Sequence, residues 1–322
     1  MWLLKRLLQI RISTCVFIVL CYEAIKNLRK LPKSNYGHIP RGALEHELHK
    51  EVVPSLDVKE TLLDCTYDDI LQSNESIHNW QVPTKYDDFS AAGISNGSFT
   101  PEHCNPLVSV AILVVYRNRP GHLYIFLHYM HNFLRKQNIH YKIFLIDQQD
   151  NKYFNRGLLF NIGARAAIAE QFPCLILHDV DLLPLDAANL YACLRQPRHM
   201  SASIDRHRFV LVYESYAGGV LAIRANQFQL QNGFSNRFEK WGGEDDDLYN
   251  RMEAHGLKLF RFPPDMSRYT MLYHTPQEVN EDRRRIIAEN KLRPGGEGLD
   301  CVSYESLRLV PQQLVTQLAV RL

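Results

Sequence analysis

Apolar runs alternate with helix-like segments through the middle of the chain. Residues 109–115 form a continuous apolar, β-rich run, as expected of a buried parallel strand. Apolar positions at helical spacing follow over residues 123–134 and again over residues 158–169. The other strand-like apolar runs are residues 141–146, 174–177 and 218–223. The order strand, helix, strand, helix, strand predicts a right-handed parallel α/β sheet.

The first 60 residues lack this alternation. Two basic residues precede a mostly apolar stretch over residues 7–22. This pattern predicts a cytoplasmic tail and an uncleaved signal anchor over residues 1–25, because no clear cleavage site follows; a cleaved signal peptide is the alternative. Residues 26–60 are charged and interrupted by proline, which predicts a stem. The folded body would then span residues 61–322 on the lumenal side of the membrane.

The composition is that of an ordinary globular protein. The 322 residues are 46% hydrophobic and 22% charged, with a formal net charge of +2. Because no basic stripe with interleaved aromatics occurs, nucleic acid is not expected as a partner. Two of the seven cysteines lie in the predicted anchor, and the others show no CxxC spacing of a zinc site or redox pair. In a lumenal protein they are expected to form disulfides, and the sequons at Asn74 and Asn96 would be open to glycosylation.

Four successive carboxylates, residues 244–247, follow Trp241 and a glycine pair. Such a cluster is costly to bury without partners, because adjacent carboxylates repel one another and each loses its hydration. One interpretation is an acidic cap on a helix that continues through Leu248. The other is a cation site or a polar ligand pocket. The run by itself favours neither.

Polar residues also follow the predicted strands, at the sheet edge where open α/β folds bind ligands. Asp179 and Asp181 come directly after the third strand, and an Asp-x-Asp alternation on an extended chain points both carboxylates toward one hard cation. Arginines in residues 116–119 and 154–156 suit a diphosphate, and their aromatic neighbours suit stacking on a base. A strand-ending turn and surface arginines are the alternatives.

With two further segments, residues 216–220 and 271–274, these motifs make the chain resemble the β-1,4-galactosyltransferase family, glycosyltransferase family 7, including its invertebrate β-1,4-N-acetylgalactosaminyltransferase members. The similarity extends over about residues 65–286. It implies an α/β fold of the GT-A type, with a Rossmann-like, mostly parallel sheet and helices on both faces. It also implies a lumenal catalytic domain over residues 61–322, held at the Golgi membrane by a single-pass type II anchor.

The resemblance further implies an inverting, single-displacement transfer from a UDP-sugar, with Mn²⁺ at the diphosphate. Asp245 would be the general base that takes the proton from the acceptor hydroxyl. The implied Mn²⁺ ligands are Asp181, Met271 and His274. The implied sugar-binding residues, with the tryptophan as a lid, are Tyr216, Trp241, Gly243, Glu244 and Asp246. The implied UDP-binding residues are Tyr116, Arg117, Arg119, Phe154, Arg156 and Asp179.

The resemblance leaves more than one donor sugar and more than one acceptor open. Tyr216 occupies the position where tyrosine goes with UDP-galactose, whereas many invertebrate members use UDP-GalNAc, so both donors stay open. The implied acceptor is terminal β-linked GlcNAc of glycoproteins or glycolipids, although Arg283 stands where an apolar residue would line an acceptor N-acetyl pocket. Residues 178–185 are also similar to the branch that galactosylates xylose of proteoglycan linkers. A catalytically weak sugar-binding relative is a further alternative.

The resemblance also assigns the cysteines outside the anchor. The implied disulfides are Cys65–Cys104 and Cys174–Cys193, with Cys301 left over. A third class of function is a lumenal calcium-binding protein that uses residues 244–247. It is disfavoured, because these carboxylates are adjacent and lack the alternating spacing and glycine turn of known calcium loops.

Overall fold

The computed structural model describes residues 36–75 and 91–322, and Tyr36–Leu322 form one compact unit. The α-helices of the described residues are α1 (Leu44–Glu47), α2 (Asp68–Leu71), α3 (Pro120–Leu134), α4 (Arg156–Ala169), α5 (Ala225–Leu230), α6 (Glu244–Ala254) and α7 (Arg283–Lys291). Their strands are β1 (Ser98–Phe99), β2 (Ser109–Tyr116), β3 (His140–Gln148), β4 (Cys174–Asp179), β5 (Leu182–Pro184), β6 (Arg198–His199), β7 (Ser203–Ile204), β8 (Val220–Arg224), β9 (Arg268–Met271), β10 (Ser306–Pro311) and β11 (Thr316–Arg321). The strands and helices predicted between residues 109 and 223 all occur at their expected places.

The main sheet is mixed. Its strand order is β10-β11-β3-β2-β4-β8-β6, with β1 paired to β3. The neighbours β11, β3, β2 and β4 run parallel, whereas β1, β6, β8 and β10 join by antiparallel pairings. The prediction of a mostly parallel sheet is therefore right for the centre and wrong for the flanking strands. The chain reaches β8 from a loop at the carboxyl end of β4, so β8 runs back antiparallel, with Val220 opposite His178.

Helices cover both faces of this sheet, as expected. Alternate side chains of the central strand β2 point to opposite faces. Val110, Ile112 and Val114 belong to the same core as Phe126 and Met130 of α3. The intervening residues of β2 pack with α4 on the other face. Burying each such aliphatic side chain contributes about 1.5–3 kcal/mol, so two separate cores fix the strand ends from both sides.

A second sheet, in the order β5-β9-β7, joins the end of β4 to the last third of the chain. β5 begins just after β4, and Leu182 pairs antiparallel with Met271 of β9. This register places Asp181 beside Leu272, whose backbone N–H donates to the Asp181 carbonyl at 2.7 Å. Two motifs that the resemblance assigns to the metal, and that are far apart in the sequence, are thereby brought together.

The compact unit begins earlier than the sequence predicts. Residues 36–60, within the expected stem, pack on the body. The Tyr36 hydroxyl donates to the Phe262 carbonyl at 3.1 Å, and Leu44 is fully buried. The sequence gives no sign of this packing, because an irregular segment buries isolated side chains without a repeating pattern.

The predicted signal anchor and the first part of the stem, residues 1–35, lie outside the described residues. Within residues 36–75 and 91–322, none of the helices combines the length and the apolar character needed to span a membrane. The anchor over residues 1–25 stays a prediction from the sequence.

The cysteines follow the pattern that the family resemblance implies. Cys65–Cys104 and Cys174–Cys193 are disulfides, and Cys301 is exposed and unpaired. The first bridge ties the segment before α2 to the loop ahead of β2. The second ties the start of β4 to the irregular segment between β5 and β6. Both predicted pairings are confirmed.

Candidate active site

A cavity of about 640 Å³ opens at the carboxyl ends of β2 and β4. All fifteen residues that the family resemblance assigns to metal, UDP, sugar or base line it. They come from the ends of β2, β4 and β9, from the starts of α4 and α6, and from the loop before β8. Residues scattered through more than half of the body therefore meet at one place.

The two aspartates after β4 face different partners. Asp179 Oδ1 accepts a hydrogen bond from Arg156 Nε at 2.8 Å. Asp181 Oδ2 contacts His274 Nε2 at 3.0 Å and Arg119 Nη1 at 3.2 Å. Both carboxylates line the cavity, but they have different charged partners. The chain turns after Asp179 instead of continuing as a strand.

Arg156 joins the turn after β4 to the start of α6. Its Nη1 lies 3.2 Å from Glu244 Oε1 while its Nε binds Asp179. Burial raises the pKa of Asp179 to about 6, although the Arg156 charge opposes the rise. The guanidinium thus compensates two carboxylates that would otherwise repel each other across the cavity wall.

Asp181, Met271 and His274, the ligands that the resemblance implies for Mn²⁺, all line the cavity. Burial acts to raise the pKa of Asp181, but the hydrogen bond with His274 and the Arg119 charge hold it below its usual range. A carboxylate oxygen and an imidazole nitrogen suit Mn²⁺, whereas a thioether is softer than such an ion usually takes. Among the described residues, no three His, Cys, Asp or Glu side chains converge. Met271 as a ligand stays what the resemblance implies.

The acidic run marks a helix start and a pocket wall at once. α6 begins at Glu244, so all four carboxylates lie in its first turn, after Gly243 as N-cap with a φ of 98°. Asp247 turns inward and accepts a hydrogen bond from Arg251 Nε at 2.8 Å. The three carboxylates before it line the cavity. The run therefore begins a helix and also lines the cavity, and its binding of a ligand stays a prediction.

Asp245 has the ionisation behaviour of a base at neutral pH. Burial, with the charges of Glu244 and Asp246, raises the pKa of Asp245 to about 7, although Arg156 opposes the rise. Its Oδ2 lies only 2.6 Å from where a Cβ on Gly218 would stand, so the glycine leaves room for the carboxylate. A carboxylate that titrates near neutral pH and faces a cavity is suited to accept a proton from a bound hydroxyl.

Glu244 and Asp246 present oxygen atoms on either side of Asp245. Glu244 Oε2 is buried and has no hydrogen-bond partner among the described residues. Asp246 Oδ1 accepts a hydrogen bond from the Tyr213 hydroxyl at 2.8 Å. A buried oxygen without a partner is costly. A ligand hydroxyl at this point would remove that cost.

Trp241 stands at the rim of the cavity. It is 56% exposed, and the Arg283 guanidinium lies 5.8 Å from its ring centre. Gly242 and Gly243 both have a φ of 98°, a conformation that side-chain-bearing residues rarely adopt. This geometry suits the predicted lid on a glycine hinge. The closing motion itself stays a prediction.

A second wall combines positive charge with flat rings. The Arg117 guanidinium lies 5.2 Å from the Phe154 ring centre and donates to the Lys152 carbonyl at 2.6 Å. The Tyr116 hydroxyl accepts a hydrogen bond from the backbone N–H of Arg119 at 2.9 Å. Rings and guanidinium groups held in this way suit a base and a phosphate. Their assignment to UDP stays a prediction.

The cavity wall also contains residues that the sequence patterns did not reveal. Arg206 lies between β7 and β8, and its Nη1 is 3.5 Å from the sulfur of Met271. Tyr213, which binds Asp246, lies in the same irregular stretch. No helical or strand period marks such positions, so only the three-dimensional arrangement reveals them. The other lining residues of this kind are His207, Val212, Gln277 and Val279.

Two family profiles match most of the body. The profile described as the N-terminal region of glycosyl transferase group 7 matches residues 71–194. The profile described as the N-terminal domain of galactosyltransferase matches residues 198–275. The two matches follow one another and together include every candidate site residue.

Individual relatives agree with these profiles. Beta-1,4-galactosyltransferase 4 of Cricetulus griseus is 41% identical over 231 residues, which cover 70% of this chain and 67% of that protein. Beta-1,4-galactosyltransferase 2 of Homo sapiens is 38% identical over 232 residues, which cover 70% and 62%. A crystal structure of a mutant Drosophila β-1,4-galactosyltransferase 7 with manganese, UDP-Gal and xylobiose has a TM-score of 0.58 and 27% identity, over 67% of this chain and 94% of that one. The chain therefore belongs to the β-1,4-galactosyltransferase family, glycosyltransferase family 7.

Proposed function

We propose that this protein transfers galactose from UDP-galactose, in β1,4 linkage and with inversion, to terminal β-linked GlcNAc of glycoproteins or glycolipids. The observation that carries the proposal is a single cavity that holds both Asp245, with a pKa of about 7, and the Asp181–His274 pair. The first supplies a base for the acceptor. The second supplies ligands for a cation at the donor. The galactosyltransferases at 38% and 41% identity support the reaction type.

In the proposed step, the acceptor 4-hydroxyl oxygen attacks the anomeric carbon from the face opposite to UDP. Asp245 accepts the hydroxyl proton as the new C–O bond forms. The bond from the anomeric carbon to UDP breaks, and UDP leaves with the bonding electrons. Glu244 and Asp246 accept hydrogen bonds from the sugar hydroxyls, and Trp241 closes over the site to exclude water as a competing acceptor.

We assign Mn²⁺ to Asp181, Met271 and His274. When bound there, the ion supplies Lewis-acid stabilisation of the negative charge that develops on the departing UDP. Arg117 and Phe154, which also line the cavity, would hold the phosphate and the base of the nucleotide. The manganese and UDP-Gal in the Drosophila relative support this assignment.

Tyr216 supports galactose as the sugar donated. Its ring makes edge contacts with His199 and Tyr213, with ring centres 5.2 and 5.4 Å away. A tyrosine fixed in this way leaves less room for an N-acetyl group than a small aliphatic residue would. UDP-GalNAc, which many invertebrate members of the family use, is the alternative donor.

A xylose acceptor is the second candidate. It is favoured by the xylobiose in the Drosophila relative, which is 27% identical to this chain. A catalytically weak sugar-binding relative is opposed by the joint presence of Asp181, Asp245, Met271 and His274. Loss of chemistry in such a protein is expected to leave at least one of these positions replaced.

We further propose that the protein is a single-pass type II protein of the Golgi membrane, with residues 1–25 as anchor and a lumenal catalytic domain over residues 61–322. Residues 36–60, the larger part of the sequence-predicted stem at 26–60, belong to the same compact unit as this domain. The apolar stretch near the N-terminus supports the anchor. The two disulfides of the body support an oxidising compartment. Microscopy of the tagged full chain beside a Golgi marker tests the location, and a cytosolic distribution would contradict it.

The function is tested by measuring sugar transfer by the full chain in detergent. UDP-Gal and UDP-GalNAc are each offered with a GlcNAc-terminated and a xylose-terminated acceptor, with and without Mn²⁺. Manganese-dependent transfer of galactose to GlcNAc is expected to be the fastest of the four. Faster transfer with another donor–acceptor pair would show that the proposed donor or acceptor is wrong. If the folded protein transferred no sugar with any of the four pairs, the proposed enzymatic function would be excluded.

A further inference from the structure

The segment that carries two of the proposed metal ligands needs support beyond the end of its strand. β9 ends at Met271, and Leu272 is tied to the Asp181 carbonyl through its N–H. Tyr273, the next residue, is 90% exposed, so its side chain contributes little packing. The position of His274 therefore depends on how the backbone of Tyr273 is held.

His122 holds that backbone. Its Nε2 lies 3.0 Å from the Tyr273 carbonyl oxygen. A carbonyl oxygen only accepts hydrogen bonds, so Nε2 carries the hydrogen and donates it. The bonded carbonyl belongs to Tyr273, which lies between the candidate ligands Met271 and His274 in the sequence. Losing it frees the peptide that precedes His274.

The turn that carries His122 contacts both parts of the ligand set. His122 lies in the first turn of α3, three residues after Arg119. Arg119 Nη1 contacts Asp181 at 3.2 Å, while His122 contacts the segment from Met271 to His274. The buried residues of β2 and α3 fix this turn from behind. The same turn therefore contacts Asp181 directly and the backbone that precedes His274.

We propose that His122 is a positioning residue for the metal site, because its hydrogen bond to the Tyr273 carbonyl keeps His274 within reach of Asp181. The proposal rests on the assignment of Mn²⁺ to Asp181, Met271 and His274. Groups that orient metal ligands through hydrogen bonds commonly change metal affinity about 10–100-fold when removed. His122→Ala should weaken Mn²⁺ binding by about that factor and leave the unfolding temperature of the metal-free protein nearly unchanged.

The experiment titrates the full chain with Mn²⁺ in the absence of nucleotide and follows free Mn²⁺ by electron paramagnetic resonance. His122→Gln keeps an N–H donor at a similar reach and should bind Mn²⁺ almost as well as the wild type. His255→Ala is the matched control. Its Nδ1 also hydrogen-bonds a backbone carbonyl, that of Arg251 at 2.8 Å, and it does not line the cavity. This control should leave Mn²⁺ affinity unchanged.

Equal Mn²⁺ affinity of the wild type and His122→Ala overturns the proposal. If His122→Ala also lowers the unfolding temperature, His122→Gln is compared with His122→Asn, whose shorter side chain does not reach the carbonyl. Equal affinities of those two overturn the proposal as well. A wild type that binds no Mn²⁺ refutes the ligand assignment on which His122 depends, which distinguishes that failure from a failure of His122 alone.

Discussion

Two acidic segments meet in the cavity, and their surroundings shift the pKa values of their carboxyl groups in opposite directions. At the end of β4, Asp181 lies among Arg119 and His274, which keep its pKa below the usual range. At the start of α6, burial and the charges of the neighbouring carboxylates raise the pKa of Asp245 to about 7. The first carboxylate stays an anion suited to a cation, and the second exchanges a proton near neutral pH. Residue type alone does not distinguish these roles.

Arg156 connects the two segments. It pairs with Asp179 beside the first and with Glu244 beside the second. Because one guanidinium serves both, a ligand that draws Arg156 toward a phosphate would change the charge around Asp179 and Glu244 together. The end of β4 and the start of α6 are therefore electrostatically linked through Arg156.

The largest effect is expected from removing the base. Asp245→Asn keeps the shape of the side chain but cannot accept the proton, so kcat should fall about 10²–10⁴-fold while UDP binding survives. The same change should raise the unfolding temperature at pH 8. Because the pKa of Asp245 is raised on folding, its ionisation costs folding stability. The cost grows as the pH rises from 3.8, the ordinary pKa, to about 7, and it is fully present at pH 8. Transfer assays, UDP calorimetry and thermal unfolding measure the three effects. Near-normal turnover would refute the base assignment.

The next largest effect is expected at the other acidic segment. Asp181→Asn removes the charged ligand and should weaken Mn²⁺ binding by about 100-fold or more, beyond the loss typical of residues that only orient ligands. Asp246→Asn, another cavity carboxylate outside the ligand set, should leave Mn²⁺ affinity almost unchanged. Titration of both variants with Mn²⁺ makes the comparison. Equal losses would show that the cation is held by diffuse negative charge instead of by Asp181.

A smaller effect is expected from disturbing Asp245 indirectly. The Cβ of Gly218→Ala would lie 2.6 Å from Asp245 Oδ2 and 2.8 Å from the Tyr216 ring, so the carboxylate must move. Displacement of a reacting group by about 1 Å costs about 10²-fold, and partial relaxation should limit the fall in kcat to about tenfold. Gly121→Ala is the control, because its Cβ meets nothing within 4 Å. Equal kcat values for the two variants would contradict this placement.

The smallest effect is expected from pH alone. Asp245 must be deprotonated to act, so kcat/KM for the acceptor should rise with pH around a midpoint near 7. Between pH 6.5 and pH 7.5 the rise should be about threefold. Initial rates in buffers of constant ionic strength measure it. A profile that stays flat down to pH 5 would indicate a base with an ordinary carboxylate pKa.

Much of the fold was predictable because its central strands are buried on both faces. Continuous apolar runs such as residues 109–115 have few alternatives, and helices with a clear apolar face lie between them. The candidate site was predictable for a different reason. Its residues form short motifs in the order and spacing of a known family, and all of them line one cavity.

The remaining features depend on tertiary structure. The antiparallel direction of β8 follows from where the preceding loop ends, which an apolar run does not encode. Asp179 and Asp181, whose spacing suggested one shared target, have different charged partners in the folded chain. Arg206 and Tyr213 reach the cavity from irregular chain that has no periodic pattern. Residues 36–60 pack on the body through isolated contacts, which also leave no periodic pattern in the sequence.

The most direct test of the central claim measures the two carboxyl groups themselves. A ¹³C NMR titration of the protein labelled at aspartate carboxyl carbons, without metal or nucleotide, follows Asp245 and Asp181, with Asp245→Asn and Asp181→Asn used to assign the signals. We predict a midpoint near 7 for Asp245 and a midpoint below the ordinary value of 3.8 for Asp181. Midpoints near the ordinary value for both would contradict the division of roles between the two segments.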